Sequence, residues 1–154
     1  MLRFNAIYRL LNHVLMRNIK LKTKDMKATE LRIKNYVNYD NEIHLISGLN
    51  DIGGVCKITN LKGKVISQHT TNLDPITLTE ERLINFGFTS NPYQDNYYLN
   101  GFILDINKTR GKLEIYYKHV EIEFVHTLQN LYFALTNEEL TLTNKNNERG
   151  NNNI

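Results

Sequence analysis

The sequence is short of the residues that build several common kinds of site. It has one cysteine, Cys56, so an internal disulfide and a cysteine-ligated zinc centre both lack their partners. No apolar run approaches the roughly 18 residues of a membrane-spanning helix. The stretch "SGLNDIGG" has the wrong spacing for a phosphate-binding loop and no Lys-Ser or Lys-Thr follows it. We therefore expect a small domain of a reducing compartment, without a transmembrane segment and without a cofactor.

Positive charge is concentrated at one end of the chain. Residues 1–25 hold six Lys and Arg against one Asp, which gives +5, whereas the remaining residues hold thirteen against fifteen Asp and Glu, which gives −2. The two parts together account for the net charge of +3. A phosphate-binding domain normally carries its own basic surface. The distribution therefore does not favour nucleic acid as a ligand of the domain itself.

The two ends of the chain differ in composition from its centre. The stretch "MLRFNAIYRLLNHVLMRNIK" spaces its apolar residues as one stripe of a basic amphipathic helix. We interpret residues 1–25 as an extension outside the fold or a misassigned start, since Met26 could itself open the chain; a docking helix and a targeting peptide are the alternatives. Residues 144–154, "NKNNERGNNNI", are predicted to be a disordered Asn-rich tail.

Residues 26–143 are predicted to form one α+β domain that begins with a β-meander. Apolar and polar side chains alternate in "LRIKNYVNY", "EIHLISGL", "VCKIT" and "KVISQHT", and turn residues separate these stretches. Asp40 and Asn41 are expected to form the first turn, because both tolerate a left-handed backbone. The pattern predicts four antiparallel strands, which would lose their free edges by curling into a small SH3-like barrel.

A short helix is predicted within "LDPITLTEERLINFGF". Thr77 and Glu80 have the spacing of a capping box, in which a hydroxyl and a carboxylate satisfy the first backbone N–H groups. Leu83 and Phe86 are expected to face the core. Gly87 can end the helix, because glycine adopts the left-handed conformation of a C-terminal cap at no steric cost.

A second sheet is predicted from "NYYLNGFILDI", "KLEIYYK" and "VEIEFV", read as three antiparallel strands, with Gly111 in the reversal between the first two. In the last strand Val120, Ile122 and Phe124 alternate with two glutamates. Such alternation indicates one buried face and one solvated face. We therefore expect these three side chains in the core.

The chain closes with a helix in "VHTLQNLYFALTNEEL". Apolar residues recur there at the spacing i, i+3, i+4 and i+7, and they are Leu128, Leu131, Tyr132 and Leu135. Asn137 can form a left-handed cap. Leu140 and Leu142 can add a last packed stretch. Strands followed by strands with segregated helices are typical of the α+β class.

Three segments carry a resemblance. "LRIKNYV", "PITLTEERLINFGF" and "VHTLQNLYFALTNEEL" together resemble an uncharacterised family of small proteins from Bacteroides-type gut bacteria, their phages and their mobile elements. The resemblance covers roughly residues 28–142. Lys34 and Asn137 stand where such proteins usually have glycine. The family has no established activity, so the resemblance implies a phage or mobile-element context and, for the protein, the cytoplasm of the bacterial host, with association with the virion as the alternative.

His126 and Gln129 are the candidate polar contacts of the third segment. A catalytic histidine needs an orienting carboxylate and a nucleophile within reach, and the residues around His126 show no diagnostic spacing. Support of the helix start is the alternative interpretation. The five histidines are dispersed, with no HxH or HxxxH pair, so no metal site is predicted. No residue is assigned a catalytic role.

Tyrosines are concentrated in the middle strands, near Lys112 and Lys118. The five are Tyr93, Tyr97, Tyr98, Tyr116 and Tyr117. Tyrosine with interleaved lysine can stack single-stranded nucleic acid, tyrosine anchors many protein interfaces, and half-buried strands favour it in any case. The preferred hypothesis is a non-enzymatic accessory protein that acts through contacts with an unknown protein partner. The alternative is a nucleic-acid-binding module that uses these tyrosines and the basic N-terminal helix.

Overall fold

A computed structural model describes residues 26–50, 54–91, 93–109 and 112–143. The predicted N-terminal extension, the Asn-rich tail and the reversal expected at Gly111 lie outside these ranges. The described residues form two antiparallel sheets, two α-helices and two short 3-10 turns at Ala28–Glu30 and Thr70–Asn72. This arrangement confirms the α+β class. Neither α-helix is long and apolar enough to cross a bilayer.

The first sheet is a meander with the strand order β1-β2-β3-β4. Its strands are β1 Tyr36–Tyr39, β2 Glu42–Leu49, β3 Val55–Asn60 and β4 Val65–His69. The four predicted strands are therefore present, and Asp40 and Asn41 form the first turn with φ of 52° and 62°. However, β1 begins later than the alternation predicts, because Lys34 has φ of 75° and interrupts the extended backbone.

The prediction that this meander closes into a barrel needs correction. Within the described ranges β4 pairs with β3 alone and does not pair with β1. After the 3-10 turn at Thr70–Asn72 the chain returns to β1, where Asn38 and Asp74 exchange two backbone hydrogen bonds of 2.9 Å. The segment that follows β4 therefore covers the outer edge of β1 at one point, and no described strand covers the edge of β4.

The second sheet has five strands where three were expected, in the order β5-β6-β7-β8-β9. The strands are β5 Thr89–Asn91, β6 Asn96–Leu99, β7 Phe102–Thr109, β8 Lys112–Tyr117 and β9 Val120–Glu121. The stretch "NYYLNGFILDI" is a hairpin and not one strand, because Asn100 and Gly101 turn the chain with φ of 48° and 82°. An Asn-Gly pair between apolar runs is a strong hairpin signal, and it outweighs the alternation.

The last strand is shorter than predicted. Val120 is 64% exposed, so the expectation that it is buried is wrong, whereas Ile122 is buried. Lys118, with φ of 57°, lies in the tight turn before Val120. Val120 therefore pairs with Tyr117 at the end of an edge strand, where no layer covers it. Phe124 is half-buried and directly precedes the second helix.

The first helix, α1, spans Glu80–Asn85. Its N-cap is Thr79, whose hydroxyl accepts a 3.3 Å hydrogen bond from the Arg82 N–H. The predicted capping box at Thr77 is wrong, because Thr77 is held in a β-bridge with Phe124. Leu83 and Phe86 are buried as predicted. Gly87 follows the helix with φ of 91°, which confirms its left-handed conformation.

The second helix, α2, spans Val125–Thr136 and ends in a left-handed cap at Asn137, with φ of 58°. Leu128 and Tyr132 are buried as predicted. Leu135 is 54% exposed, so its predicted burial is wrong. The buried face is centred on Gln129 and Tyr132, and Leu135 lies at its margin in the last turn.

Two clusters of buried side chains share strand β1. The smaller cluster lies under the first sheet and consists of Leu31, Val37, Ile46, Cys56, Ile58 and Leu73. The larger cluster lies between the second sheet and the two helices and includes Leu83, Phe86, Leu104, Ile122, Leu128 and Tyr132. Val37 points into the smaller cluster, whereas its neighbour Tyr36 packs against the larger one. Alternation along β1 therefore directs Tyr36 to the larger core and Val37 and Tyr39 to the smaller one.

We predict that replacing Lys34 with glycine stabilises the protein. The side chain of Lys34 is exposed and its backbone is left-handed, a conformation that costs a residue other than glycine roughly 1 kcal/mol. We expect the free energy of unfolding, measured by urea denaturation, to rise by about 0.5–1 kcal/mol. Lys27→Gly is the matched control, since Lys27 has φ of −80°. Equal effects of the two substitutions would contradict the assignment of strain to Lys34.

Candidate functional site

Gln129 joins α2 to the segment before β1 through a fully buried amide. Its Oε1 accepts a 2.8 Å hydrogen bond from the Tyr36 N–H. Its Nε2 donates to the carbonyls of Lys34, at 2.9 Å, and Leu140, at 3.1 Å. Both amide protons and the carbonyl oxygen are therefore used within the fold. The side chain has no proton left to offer a ligand, so its role is structural.

A second amide pair lies beside it. Asn35 is fully buried, and its Nδ2 donates a 2.9 Å hydrogen bond to Asn130 Oδ1. The Oδ1 of Asn35 accepts from the Arg32 N–H at 2.7 Å. Asn130 in turn donates to the Glu30 carbonyl at 2.8 Å. These bonds fix the irregular backbone of residues 30–35 against the helix, because each buried backbone group needs a partner.

Arg32 completes the connection at the protein surface. Its guanidinium donates two hydrogen bonds to the Glu139 carboxylate, at 2.7 and 2.9 Å, and lies 4.1 Å from the ring centre of Phe133. The hydrogen bonds from Arg32 lower the pKa of Glu139 below its ordinary value. We call the contacts made by Arg32, Asn35, Gln129, Asn130 and Glu139 the clasp. The first and third segments of the sequence resemblance contain its two halves.

His126 lies next to the clasp, and its side chain is almost fully buried. The side chain is 2% exposed and stacks on Phe124, with ring centres 5.7 Å apart and an interplanar angle of 9°. Its Nε2 is 3.9 Å from Glu30 Oε2, too far for a direct hydrogen bond, and among the described residues its Nδ1 has no partner. Burial lowers the pKa of the imidazole, and the Glu30 carboxylate opposes that shift. His126 is therefore a neutral ring at pH 7.

A cleft of about 320 Å³ lies beside this histidine. It is lined by Met26, Glu30, Pro75, Phe124, His126, Thr127 and Asn130. The lining contains a carboxylate, an imidazole and a hydroxyl, but His126 and Thr127 form no hydrogen bond in the described part of the chain. The Nδ1 of His126 is covered by protein. The arrangement thus lacks the nucleophile–base contact that a hydrolytic site requires.

Metal-ligating side chains are scattered. Within residues 26–50, 54–91, 93–109 and 112–143, no group of three or more His, Cys, Asp and Glu is placed to hold a metal ion. Cys56 is buried in β3, and its thiol donates a 3.5 Å hydrogen bond to the Gln68 carbonyl. Burial raises the pKa of this thiol, so the unreactive protonated form is favoured.

The five tyrosines of the candidate interaction surface do not share one face. Tyr97 is buried in the larger core, and Tyr117 stacks on Phe102 with ring centres 4.6 Å apart. Tyr93 is almost fully exposed in the loop before β6. Tyr98 and Tyr116 are on the opposite side of the second sheet, because side chains alternate along β6 and β8.

The side of the second sheet that bears Tyr98 and Tyr116 is the most distinctive exposed surface. Tyr98 pairs across the strands with Ile103, and these side chains are 46% and 49% exposed. Tyr116 pairs with Asp105 on one side and Glu121 on the other. We call this surface the outer face, and it consists of Tyr98, Ile103, Asp105, Lys112, Glu114, Tyr116 and Glu121. Sequence reasoning missed Ile103 and the carboxylates, since their partners are set by strand register.

Carboxylates outnumber cations on the outer face. Lys112 lies 3.1 Å from Glu114 and 3.6 Å from Glu121. Glu114 also accepts a 3.0 Å hydrogen bond from the Tyr116 hydroxyl. The hydrogen bond that Lys112 donates to Glu114 lowers the pKa of Glu114 and raises the pKa of Lys112. With Asp105 the face carries three negative charges and one positive charge.

We predict that replacing Gln129 with leucine strongly destabilises the fold. Leucine has a similar volume but would leave the Tyr36 N–H and the Lys34 and Leu140 carbonyls without their partners. Each buried unsatisfied group costs about 1–3 kcal/mol, so we expect a loss of about 3 kcal/mol or more in the free energy of unfolding. Gln94→Leu, on an exposed turn, is the control and should change it by about 0.5 kcal/mol or less. A similar small loss at Gln129 would contradict the structural role.

His126 should make stability depend on pH. Since its pKa is lower in the folded protein than the ordinary value of 6.5, the unfolded chain binds a proton that the folded chain does not. Stability is therefore full above pH 6.5 and falls as the pH drops toward the folded pKa. We expect urea midpoints at pH 7.5 and 5.5 to differ less in His126→Phe than in the wild type. His119→Phe, at an exposed ring, should keep the wild-type difference; an unchanged difference in His126→Phe would contradict this account.

Comparisons of the chain with protein-family models, with curated proteins and with solved structures find no match. The chemistry of the clasp and of the outer face is therefore judged from geometry alone.

Proposed function

We propose that this chain is a non-enzymatic accessory protein of a phage or mobile element, that it acts through protein contacts, and that the outer face is its contact surface. The observation that carries the proposal is the exposed Tyr98–Ile103 pair on a five-stranded sheet. Paired strands hold both side chains in fixed positions, so a partner can bind them with little ordering cost. Tyrosine is also among the residues that contribute most to protein interfaces.

The charge of the outer face defines the kind of partner. Asp105, Glu114 and Glu121 lie on the same face as the apolar pair, toward β8 and β9, and outnumber Lys112. Carboxylates attract lysine and arginine, and complementary charge increases the rate and the specificity of association. The expected partner therefore presents an apolar side chain flanked by basic residues. The same carboxylates repel phosphate, which is why the nucleic-acid alternative is not preferred for this face.

The polar residues of the third segment support a non-enzymatic role. Gln129 and Asn130 use their amides within the clasp, and the Nδ1 of His126 is covered. The two amides thus hold the fold together, and the Nδ1 of His126 is not presented to a ligand. The phage or mobile-element context rests on the sequence resemblance, and an origin in the host cytoplasm rests on that resemblance and on the single cysteine.

Selection of displayed random peptides on the full-length chain tests the proposal. We expect the enriched peptides to combine an apolar anchor with lysine or arginine. Their affinity, measured by fluorescence anisotropy, should fall at least tenfold for Ile103→Thr, which keeps a strand-forming residue. Leu61→Thr, at an exposed turn outside the face, is the matched control and should bind as the wild type does.

Two results would contradict the proposal. Peptides that bind Ile103→Thr and the wild type equally would exclude the outer face as the contact surface. Binding of a fluorescent single-stranded oligonucleotide that weakens steeply with salt, and is lost in Tyr98→Ser, would instead support the nucleic-acid-binding alternative.

A further inference from the structure

Among the described residues, strand β4 is the longest outer strand whose free edge no other segment covers. In the described chain the other outer strands are short or covered: β5 has three residues, β9 has two, and β1 is bridged to Asp74. β4 has five residues, and its pairing is with β3 on one side only. An exposed edge offers a row of unpaired N–H and C=O groups to another strand.

The backbone hydrogen bonds show which groups of β4 face outward. The Thr70 N–H donates to the Gly54 carbonyl at 2.8 Å, and the Asn60 N–H donates to the Lys64 carbonyl at 3.0 Å. Bonded pairs alternate along an antiparallel ladder, so the even-numbered residues of β4 bond to β3. The N–H and C=O groups of Val65, Ser67 and His69 therefore point away from the sheet.

The edge also lacks the usual protection against pairing. Natural edge strands are commonly blocked by lysine, proline or inward-pointing charge. The sequence of β4, "VISQH", contains no Lys, Arg, Asp, Glu or Pro. Val65 on this strand is 56% exposed, and Val55 on the neighbouring strand is 36% exposed. The strand thus combines free backbone groups with exposed apolar side chains.

We propose that β4 pairs antiparallel with β4 of a second copy of this chain, about a twofold axis at Ser67. Because the outward-facing residues are symmetric about Ser67, each Val65 lies opposite the His69 of the second copy, and the two Ser67 residues lie opposite each other. The two Ser67 residues can then exchange two backbone hydrogen bonds, and each His69 N–H can donate to the Val65 carbonyl of the other copy. The His69 carbonyl does not take part, because His69 is the N-cap of the 3-10 turn and its carbonyl accepts within that turn. The strand is therefore complementary to itself in this register.

Side chains on the exposed side of the sheet fit the same register. Val55 is the neighbour of His69 across β3 and β4, so each His69 ring would be placed between Val55 and the second copy's Val65. Both exposed valines would then be covered. Lys57, the neighbour of Ser67, would be about 14 Å from its counterpart, or three strand spacings. That distance exceeds the screening length of about 8 Å at physiological salt, so repulsion is weak.

The interface is small. A five-residue strand pair buries less than the roughly 800 Å² per partner of a standard interface, so we expect a dissociation constant on the order of 0.1 mM. The dimer would join two four-stranded sheets into one eight-stranded sheet. This pairing involves the first sheet and is independent of the outer face, which lies on the second sheet.

Substituting Ser67 with lysine or with glutamate tests the pairing in the full-length protein. By sedimentation equilibrium, the average mass of the wild type should rise with concentration toward that of a dimer. Ser67→Lys and Ser67→Glu should each remain monomeric, because like charges would face each other across the axis. An equimolar mixture of the two variants should dimerise at least as strongly as the wild type. Ser90→Lys, on exposed β5, is the control and should behave as the wild type does.

Three outcomes would overturn the proposal. The wild type could stay monomeric at 1 mM, Ser67→Lys could dimerise like the wild type, or the mixture of the charged variants could fail to associate while each variant keeps the wild-type circular dichroism spectrum.

Discussion

The hydrogen bond from the Tyr36 N–H to the Gln129 side chain is the contact on which the two halves of this protein depend. The smaller core lies under the first sheet and the larger core lies under the second, and β1 and its neighbour β2 contribute side chains to both. Strand β1 must have its backbone satisfied from the side of the helix, where no neighbouring strand is available. Gln129 accepts the hydrogen bond of the Tyr36 N–H and also donates one to the Lys34 carbonyl. The arrangement explains why an amide lies fully buried in this helix, between the buried side chains of Leu128 and Tyr132.

The clasp also determines what the third sequence segment can do. His126, Gln129 and Asn130 resemble a polar site when the sequence is read alone, but the structure uses the two amides to hold residues 30–36. We therefore expect the functional contacts on surfaces outside the clasp. The second sheet offers an acidic face with two exposed apolar side chains, and the first sheet offers an uncharged edge. We propose both as recognition surfaces, and they lie on different sheets, so a dimer formed through β4 would present two outer faces to its partners.

Local sequence signals predict much of the fold, whereas contacts distant in sequence account for the errors. Asp40 and Asn41, the caps at Gly87 and Asn137, and the buried Leu83, Phe86 and Leu128 follow from short-range patterns and are confirmed. The hairpin at Asn100 and Gly101 could also have been predicted, since Asn-Gly is a turn signal in its own right. The β-bridge of Thr77 and the exposure of Val120 could not be predicted from local sequence, because each depends on which strand or segment lies beside it. The clasp belongs to this second group: its partners Asn35 and Asn130 are 95 residues apart, and no periodicity relates them.

Native-state hydrogen exchange of the full-length wild-type protein, followed by NMR, tests the central claim most directly. If Gln129 couples the two halves, the Tyr36 amide should exchange only through global unfolding, with the same opening free energy as the amides of Ile58 in the first sheet and Leu104 in the second. The account predicts one common value for the three amides. A Tyr36 amide that exchanges much faster, together with different opening free energies for Ile58 and Leu104, would show that the sheets open independently and would contradict it.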